Sequence, residues 1–350
     1  MITKIKDKFS NVKGSFVWFF SIGCVVFGLL IAFVSLLMVG FDINRLNTDG
    51  EWEQRTLVQS LGEINEILID SRNVRIEVRP SGGDEIVITY FENNQTTFTE
   101  TITNNRISLI QDRNTRNFRL FTVGIHFNVG NSGIVVEVPK EAYLSGEFRT
   151  TNGRIEIREI DFVKLQVSSS NGPLRLDEVT VTGEVVASTT NSVIHLSNSD
   201  FDCQVNLTTT NGRITLEAVQ LEGDIGMRTT SGAVNLSDVH STGDITVNTT
   251  NGRIDVNNVN ITGDFDFRSS NGMIILERSV FFNGTLTTTN GRVIVNDLQD
   301  HEKYRFITET SNGRTIIGEL RLEGRRNSLG EGERLLDIRT SNGNIEVSFQ

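Results

Sequence analysis

A unit of about twenty residues recurs along the C-terminal two-thirds of this 350-residue chain, and each copy turns on Thr-Thr-Asn-Gly or a close variant. The turn glycines are Gly153, Gly172, Gly212, Gly232, Gly252, Gly272, Gly291, Gly313 and Gly343, and Ser192 fills the gap between Gly172 and Gly212. Successive spacings are 19, 20, 20, 20, 20, 20, 19, 22 and 30 residues. A period of this length means a short supersecondary unit stacked on copies of itself. In the copy from Gly243 to Thr262, apolar and polar residues alternate: Ile245 and Val247, Ile254 and Val256, Val259 and Ile261. A period of two is that of a strand with one face buried. Asn251-Gly252 separates the first strand from the second, and Asn257-Asn258 the second from the third. Asn and Gly tolerate left-handed backbone and so suit corners.

The apolar columns persist from copy to copy. Two residues after the turn stand Ile155, Leu174, Ile194, Ile214, Val234, Ile254, Ile274, Val293 and Ile345, with Thr315 as the one exception. The outward position next to them drifts through Glu156, Arg175, His195, Thr215, Asn235 and Asp255. The period excludes a helix–turn–helix repeat, and no Leu-x-x-Leu-x-Leu core is present. An antiparallel meander would not need identical columns. Parallel, in-register stacking does, which predicts an all-β, single-chain parallel β-solenoid of about ten coils, roughly 45–50 Å long at about 4.8 Å per coil. One coil cannot bury enough apolar surface to offset its own ordering, so each needs its neighbours.

Residues 15–41 carry no charge and are long enough to span the ~30 Å hydrocarbon core of a bilayer as a transmembrane signal-anchor helix. Lys4, Lys6, Lys8 and Lys13 precede it, against one Asp7. The positive-inside bias then places residues 1–14 in the cytoplasm and the repeats outside the cell membrane as a single-pass protein. The core is longer than a cleaved signal peptide's. A lipoprotein site at Cys24 lacks the usual leucine and is followed by more apolar sequence. Residues 42–63 read as a juxtamembrane connector, 64–141 as an irregular β cap with the first coils, and 142–350 as the regular repeats. The aromatic, Gly-rich segment Asn117–Gly133 reads as a loop over the end of the core, and Gly318–Arg334 as a solvated insertion.

The run Ile67-Leu68-Ile69-Asp70-Ser71, then Val74-Arg75-Ile76-Glu77-Val78, the Val136-Glu137-Val138-Pro139 step and the many Thr-Ser/Thr-Asn-Gly-x-Ile-x-Leu copies resemble the bacterial putative-adhesin family with β-strand repeats, over roughly residues 64–350. That is a domain family of unknown function. The resemblance implies a β-solenoid on an envelope or membrane-anchored protein, with some relatives implicated in envelope-stress signalling. It supplies no catalytic residues.

The residues themselves point away from catalysis. His126, His195, His240 and His301 fall in different columns, and no HExxH, CxxC, phosphate loop or Gly-x-Ser-x-Gly elbow occurs. No cofactor or metal is expected. Glu184, Asp224, Asp244 and Asp264 form an acidic column that calcium could bridge, although polar corners stacked on one another produce such a column by default. Cys203 sits at a corner without a base beside it, as an inert thiol. A net charge of −11 argues against nucleic acid.

Arg154, Arg213, Arg253, Arg292 and Arg314 follow the turns, and Arg149, Arg228, Arg268 and Arg339 precede them. They read either as a solvated face interleaved with Asp and Glu or as a stripe for anionic wall polymers, head groups or a partner. The Asn column beside them reads as stacked corner amides. The repeats contain no Trp, which disfavours a carbohydrate platform. The expected function is that of a membrane-anchored, extracytoplasmic, non-catalytic, adhesin-like module binding an envelope component or partner protein. A regulator of envelope stress acting through partner membrane proteins is the alternative, and a β-helix polysaccharide lyase or hydrolase would require a carboxylate cluster that is not seen.

Overall fold

A computed structural model describes residues 18–34, 37, 52–112, 133–140 and 142–350. These divide into two units. In the first, residues 18–34 are helical, with side chains such as Trp18, Phe27 and Leu29 exposed. Among the described residues no helix is long and apolar enough to cross a membrane. Residues 18–34 rise only about 25 Å as a helix, and the rest of the apolar run, apart from Leu37, lies outside the described residues, as does most of Asn117–Gly133.

The second unit is a stack of parallel strands. One sheet has fifteen strands, and only Glu85–Glu92, which pairs antiparallel with both Glu53–Ser60 and Gly133–Val138, and Leu320–Leu322 run against the others. Ile214 pairs with Val234, Val234 with Ile254, and Ile254 with Ile274, so the aliphatic column lies one residue above the next. Each full coil adds two more strands. In the coil read above they are His240–Ser241 and Ile245–Thr249, followed by Ile254–Asn257 in the first sheet. Thr180–Thr189 and Asn260–Ser269 run through the corner and pair with both segments of a neighbouring coil. The core is the common interior of these coils, with Phe162, Phe201, Phe267 and Phe281 fully buried in it.

Two features depart from a stack in chain order. At the N-terminal end, strand Glu66–Asp70 lies between Arg106–Gln111 and Leu144–Thr150, so the first coil in the chain is the second in space. At the other end, Arg334–Thr340 inserts between Val280–Thr288 and Tyr304–Thr310, so the last coil in the chain is the next to last in space. Both outer levels are closed by antiparallel strands: Glu53–Ser60 and Phe98–Thr103 at one end, Leu320–Leu322 and Arg326–Leu329 at the other. Parts of the expected connector and of the expected solvated insertion are therefore edge strands that limit pairing with other molecules.

The turn glycines have a different role from the one expected. Their φ angles lie outside the left-handed region, which is occupied instead by the next corner: Glu178, Asn198, Ala218, Asp238, Asn258 and Arg278 all have φ of 47–55°. At the glycine turns the absent side chain permits close stacking, while the one turn with a side chain, at Ser192, takes no part in the amide-to-hydroxyl bond that the turns at Gly212, Gly232 and Gly252 make. A Cβ on Gly252 would stand 1.7 Å from the carbonyl oxygen of Gly232 in the coil beneath.

Candidate functional site

The Thr-Thr-Asn-Gly turns form a ridge in which each residue has a separate duty. The first Thr is buried. Thr229 Oγ1 accepts from the Gly232 amide at 3.1 Å and donates to the Gly212 carbonyl at 3.2 Å, joining its own turn to the previous one. The second Thr or Ser is exposed. The Asn amides are exposed and hydrogen-bonded in a ladder: Asn171 Nδ2 donates to Asn152 Oδ1 at 2.6 Å, and Asn342 donates to Asn290 and Asn312 to Asn342 at 2.7 Å each. These amides satisfy one another, as the sequence suggested.

Two further polar sets are engaged by the fold. In the acidic column, Asp224 accepts from the Asp244 amide at 2.9 Å and Asp244 from the Asp264 amide at 2.8 Å. Glu184 pairs with Lys164 at 2.7 Å. Among the described residues no group of three or more His, Cys, Asp or Glu side chains could hold a metal ion. His301 stacks on Phe349, with ring centroids 4.2 Å apart. Cys203 is buried, and burial, followed by the charges of Asp202 and Glu184, pushes its thiol up to about 11. In the folded protein at pH 8, iodoacetamide is expected to leave Cys203 unmodified, with alkylation appearing only after unfolding; mass spectrometry showing rapid native labelling would refute this.

Backbone hydrogen bonds order the arginine file after the turns as Arg154, Pro173, Val193, Arg213, Ala233, Arg253, Met273, Arg292, Asn344 and Arg314. All five arginines are exposed, but they are not equivalent. Arg154 Nη1 lies 3.7 Å from Glu156, whose carboxylate is almost fully buried and also faces Arg158 and Arg75. That cluster is structural, because removing one partner of a buried charged group is costly. Arg75 precedes Arg154 in the same file; no repeat spacing flags it, because its coil joins the stack out of order. Arg253 pairs with Asp255, and Arg292 lies 4.0 Å from Glu346. Arg213 and Arg314 have no ion-pair partner among the described residues.

The file before the turns lies on the neighbouring sheet. In register it runs Arg149, Ser168, Ser188, Thr208, Arg228, Asn248, Arg268, Thr287, Arg339 and Glu309. Arg149, Arg268 and Arg339 pair with Glu147, Asp266 and Asp337 on their own strands. A shallow depression near this file is lined by Arg228, Thr230, Asn248, Thr250, Arg268 and Thr289.

Fold and ridge together define a single-chain parallel β-solenoid with structural polar ladders and an arginine-flanked ridge. The sequence profile of the Toastrack DUF4097 family matches residues 64–262 and 224–350, and the chain belongs to that family. No curated protein matches it at a significant level. Among solved structures it is similar to one described as a "putative cell adhesion protein" from Clostridium sporogenes, at 9% identity and a TM-score of 0.19, over 86% of this chain and 100% of that one. It is also similar to a "putative adhesin" from Bacteroides fragilis, at 12% identity and a TM-score of 0.26, over 84% of this chain and 97% of that one.

Proposed function

We propose that the protein is a non-catalytic, adhesin-like binding module held at the outer face of the cell membrane by its N-terminal apolar segment, and that it uses the arginine-flanked ridge to hold an envelope component. The observation that carries this is what remains once the fold's own polar groups are set aside. Buried hydroxyls, Asn amides and Asp carboxylates are engaged in stacking coils, whereas Arg213, Arg228 and Arg314 are exposed without an ion-pair partner among the described residues. The anchor reading is supported by a helix whose described surface is apolar all round, with Trp18 66% and Leu29 67% exposed, a surface suited to lipid.

The test uses the full-length protein held in phosphatidylcholine nanodiscs, so that its apolar segment is already occupied, and isolated envelopes that sediment away from free nanodiscs. The wild type is expected to sediment with them, and the quadruple change of Arg213, Arg253, Arg292 and Arg314 to Glu is expected to remove most of that binding. Protease added to intact cells should degrade the repeats while sparing residues 1–14. Equal sedimentation of both proteins, or repeats protected until the cells are lysed, would overturn the reading.

A further inference from the structure

The two arginine files interlock. From the level of Gly212 onwards, in spatial order, successive levels carry Arg213, Arg228, Arg253, Arg268, Arg292, Arg339 and Arg314. There is one arginine per level over seven levels, and they fall alternately on the two sides of the ridge. The exchange of the last two coils completes the pattern. In chain order Arg314 would follow Arg292 on the same side; the fold places the Gly343 level, with Arg339, between them. At about 4.8 Å per level, each side repeats every ~9.6 Å and the seven levels span roughly 29 Å. The remaining places in the two files hold Thr208, Ala233, Asn248, Met273, Thr287 and Asn344; the one carboxylate, Glu309 at the last level, lies 3.4 Å from Arg325.

We propose that this ridge is a track for one extended polyol-phosphate chain lying along the solenoid axis, its phosphates taken alternately by the two files. The proposal rests on the binding-module reading above and specifies its ligand. None of these seven levels has two arginines, and the one level that does, at Gly153, has Arg149 and Arg154 facing Glu147 and Glu156. No level of the seven therefore offers a paired clamp for a small dianion, whereas a linear chain meets a guanidinium at every rise. Guanidinium matches the geometry of a phosphate. Between the files run the exposed hydroxyls Thr210, Thr230, Thr250, Ser270 and Thr289 and the exposed Asn amides, which suit the hydroxyls of a polyol. Arg253, Arg268, Arg339 and Arg292 already lean towards carboxylates; Arg213, Arg228 and Arg314 carry the excess positive charge.

The experiment measures binding of a fluorescent poly(glycerol phosphate) of about ten repeats to the full-length protein in phosphatidylcholine nanodiscs at low salt. Changing Arg213, Arg228 and Arg314 together to Gln is expected to weaken binding on the order of 30-fold and to flatten its salt dependence. The same loss of charge away from the ridge, Arg175, Arg305 and Arg321 to Gln, is expected to change it less than about threefold. The double change Ala233→Arg with Arg253→Ala keeps the charge but moves one arginine out of alternation, and should weaken binding about tenfold. Glycerol phosphate monomer should not compete. Equal effects of the ridge and off-ridge triples would reduce the interaction to a general field, and wild-type binding by the double variant would remove the alternation; either result overturns the track. Equally tight binding of a single-stranded DNA or poly-glutamate of the same length would overturn the polyol-phosphate assignment. A wild type that sediments with envelopes but ignores the polymer sinks the track and leaves the binding module standing; one that does neither sinks both.

Discussion

Gly252→Ala is expected to cost about 3–5 kcal/mol of stability, an unusually large effect for one added methyl group. The added Cβ would meet the Gly232 carbonyl at 1.7 Å and Thr249 Oγ1 at 2.7 Å. Neither can retreat easily. The carbonyl is backbone, locked between coils that are hydrogen-bonded on both sides, and the hydroxyl is held by the Gly252 amide at 3.0 Å. Opening the gap would lengthen the stacking of every column at that level. Gly82→Ala is the matched control: a Cβ there meets nothing within 4 Å, so its effect should stay within about 0.5 kcal/mol. Thermal and denaturant unfolding of the two variants checks the claim. Similar stability for both would mean that the turns do not stack as tightly as described.

Ending the chain at Gly332 is expected to unravel more than it removes. The deleted residues include Leu336, Ile338, Ile345 and Val347, all buried, whose burial contributes roughly 6–12 kcal/mol. Because Arg334–Thr340 and Ile345–Phe349 lie inside the stack, Tyr304–Thr310 and Thr315–Ile317 would lose their parallel neighbours. Hydrogen exchange should therefore show lost protection across residues 304–317, which remain in the truncated chain. A solenoid stacked in chain order predicts the opposite, since residues 304–317 would then rest on the coil before them. Retained protection there would refute the exchanged order.

The regular levels were legible in the sequence because each is specified locally. The alternation around Asn251-Gly252, the aliphatic columns and the Asn column all repeat at nearly the same offset, and parallel stacking is the arrangement that places like residues over like. The buried Thr hydroxyl was equally visible as the first letter of the motif, but its role was not: whether it faces inward depends on how the turn packs on the turn beneath it. The glycines show the same limit. Composition suggested conformational freedom, whereas the demand comes from a neighbour's carbonyl oxygen. For the arginines, the sequence showed which residues flank the turns but not which of them are adjacent. Arg154 shares the buried Glu156 carboxylate with Arg75, a residue 79 positions earlier.

By itself, then, the sequence determined the repeating unit, the buried aliphatic face and the parallel register, because all three are written within about twenty residues and reinforced at each copy. Only the tertiary structure decided the order of the terminal coils, the antiparallel strands that close the ends and the strict alternation of arginines along the ridge. Those depend on which edge a departing strand joins. A free parallel edge offers nearly the same backbone pattern to any coil that can reach it, so the choice is made by long-range packing and closure of the ends rather than by local sequence.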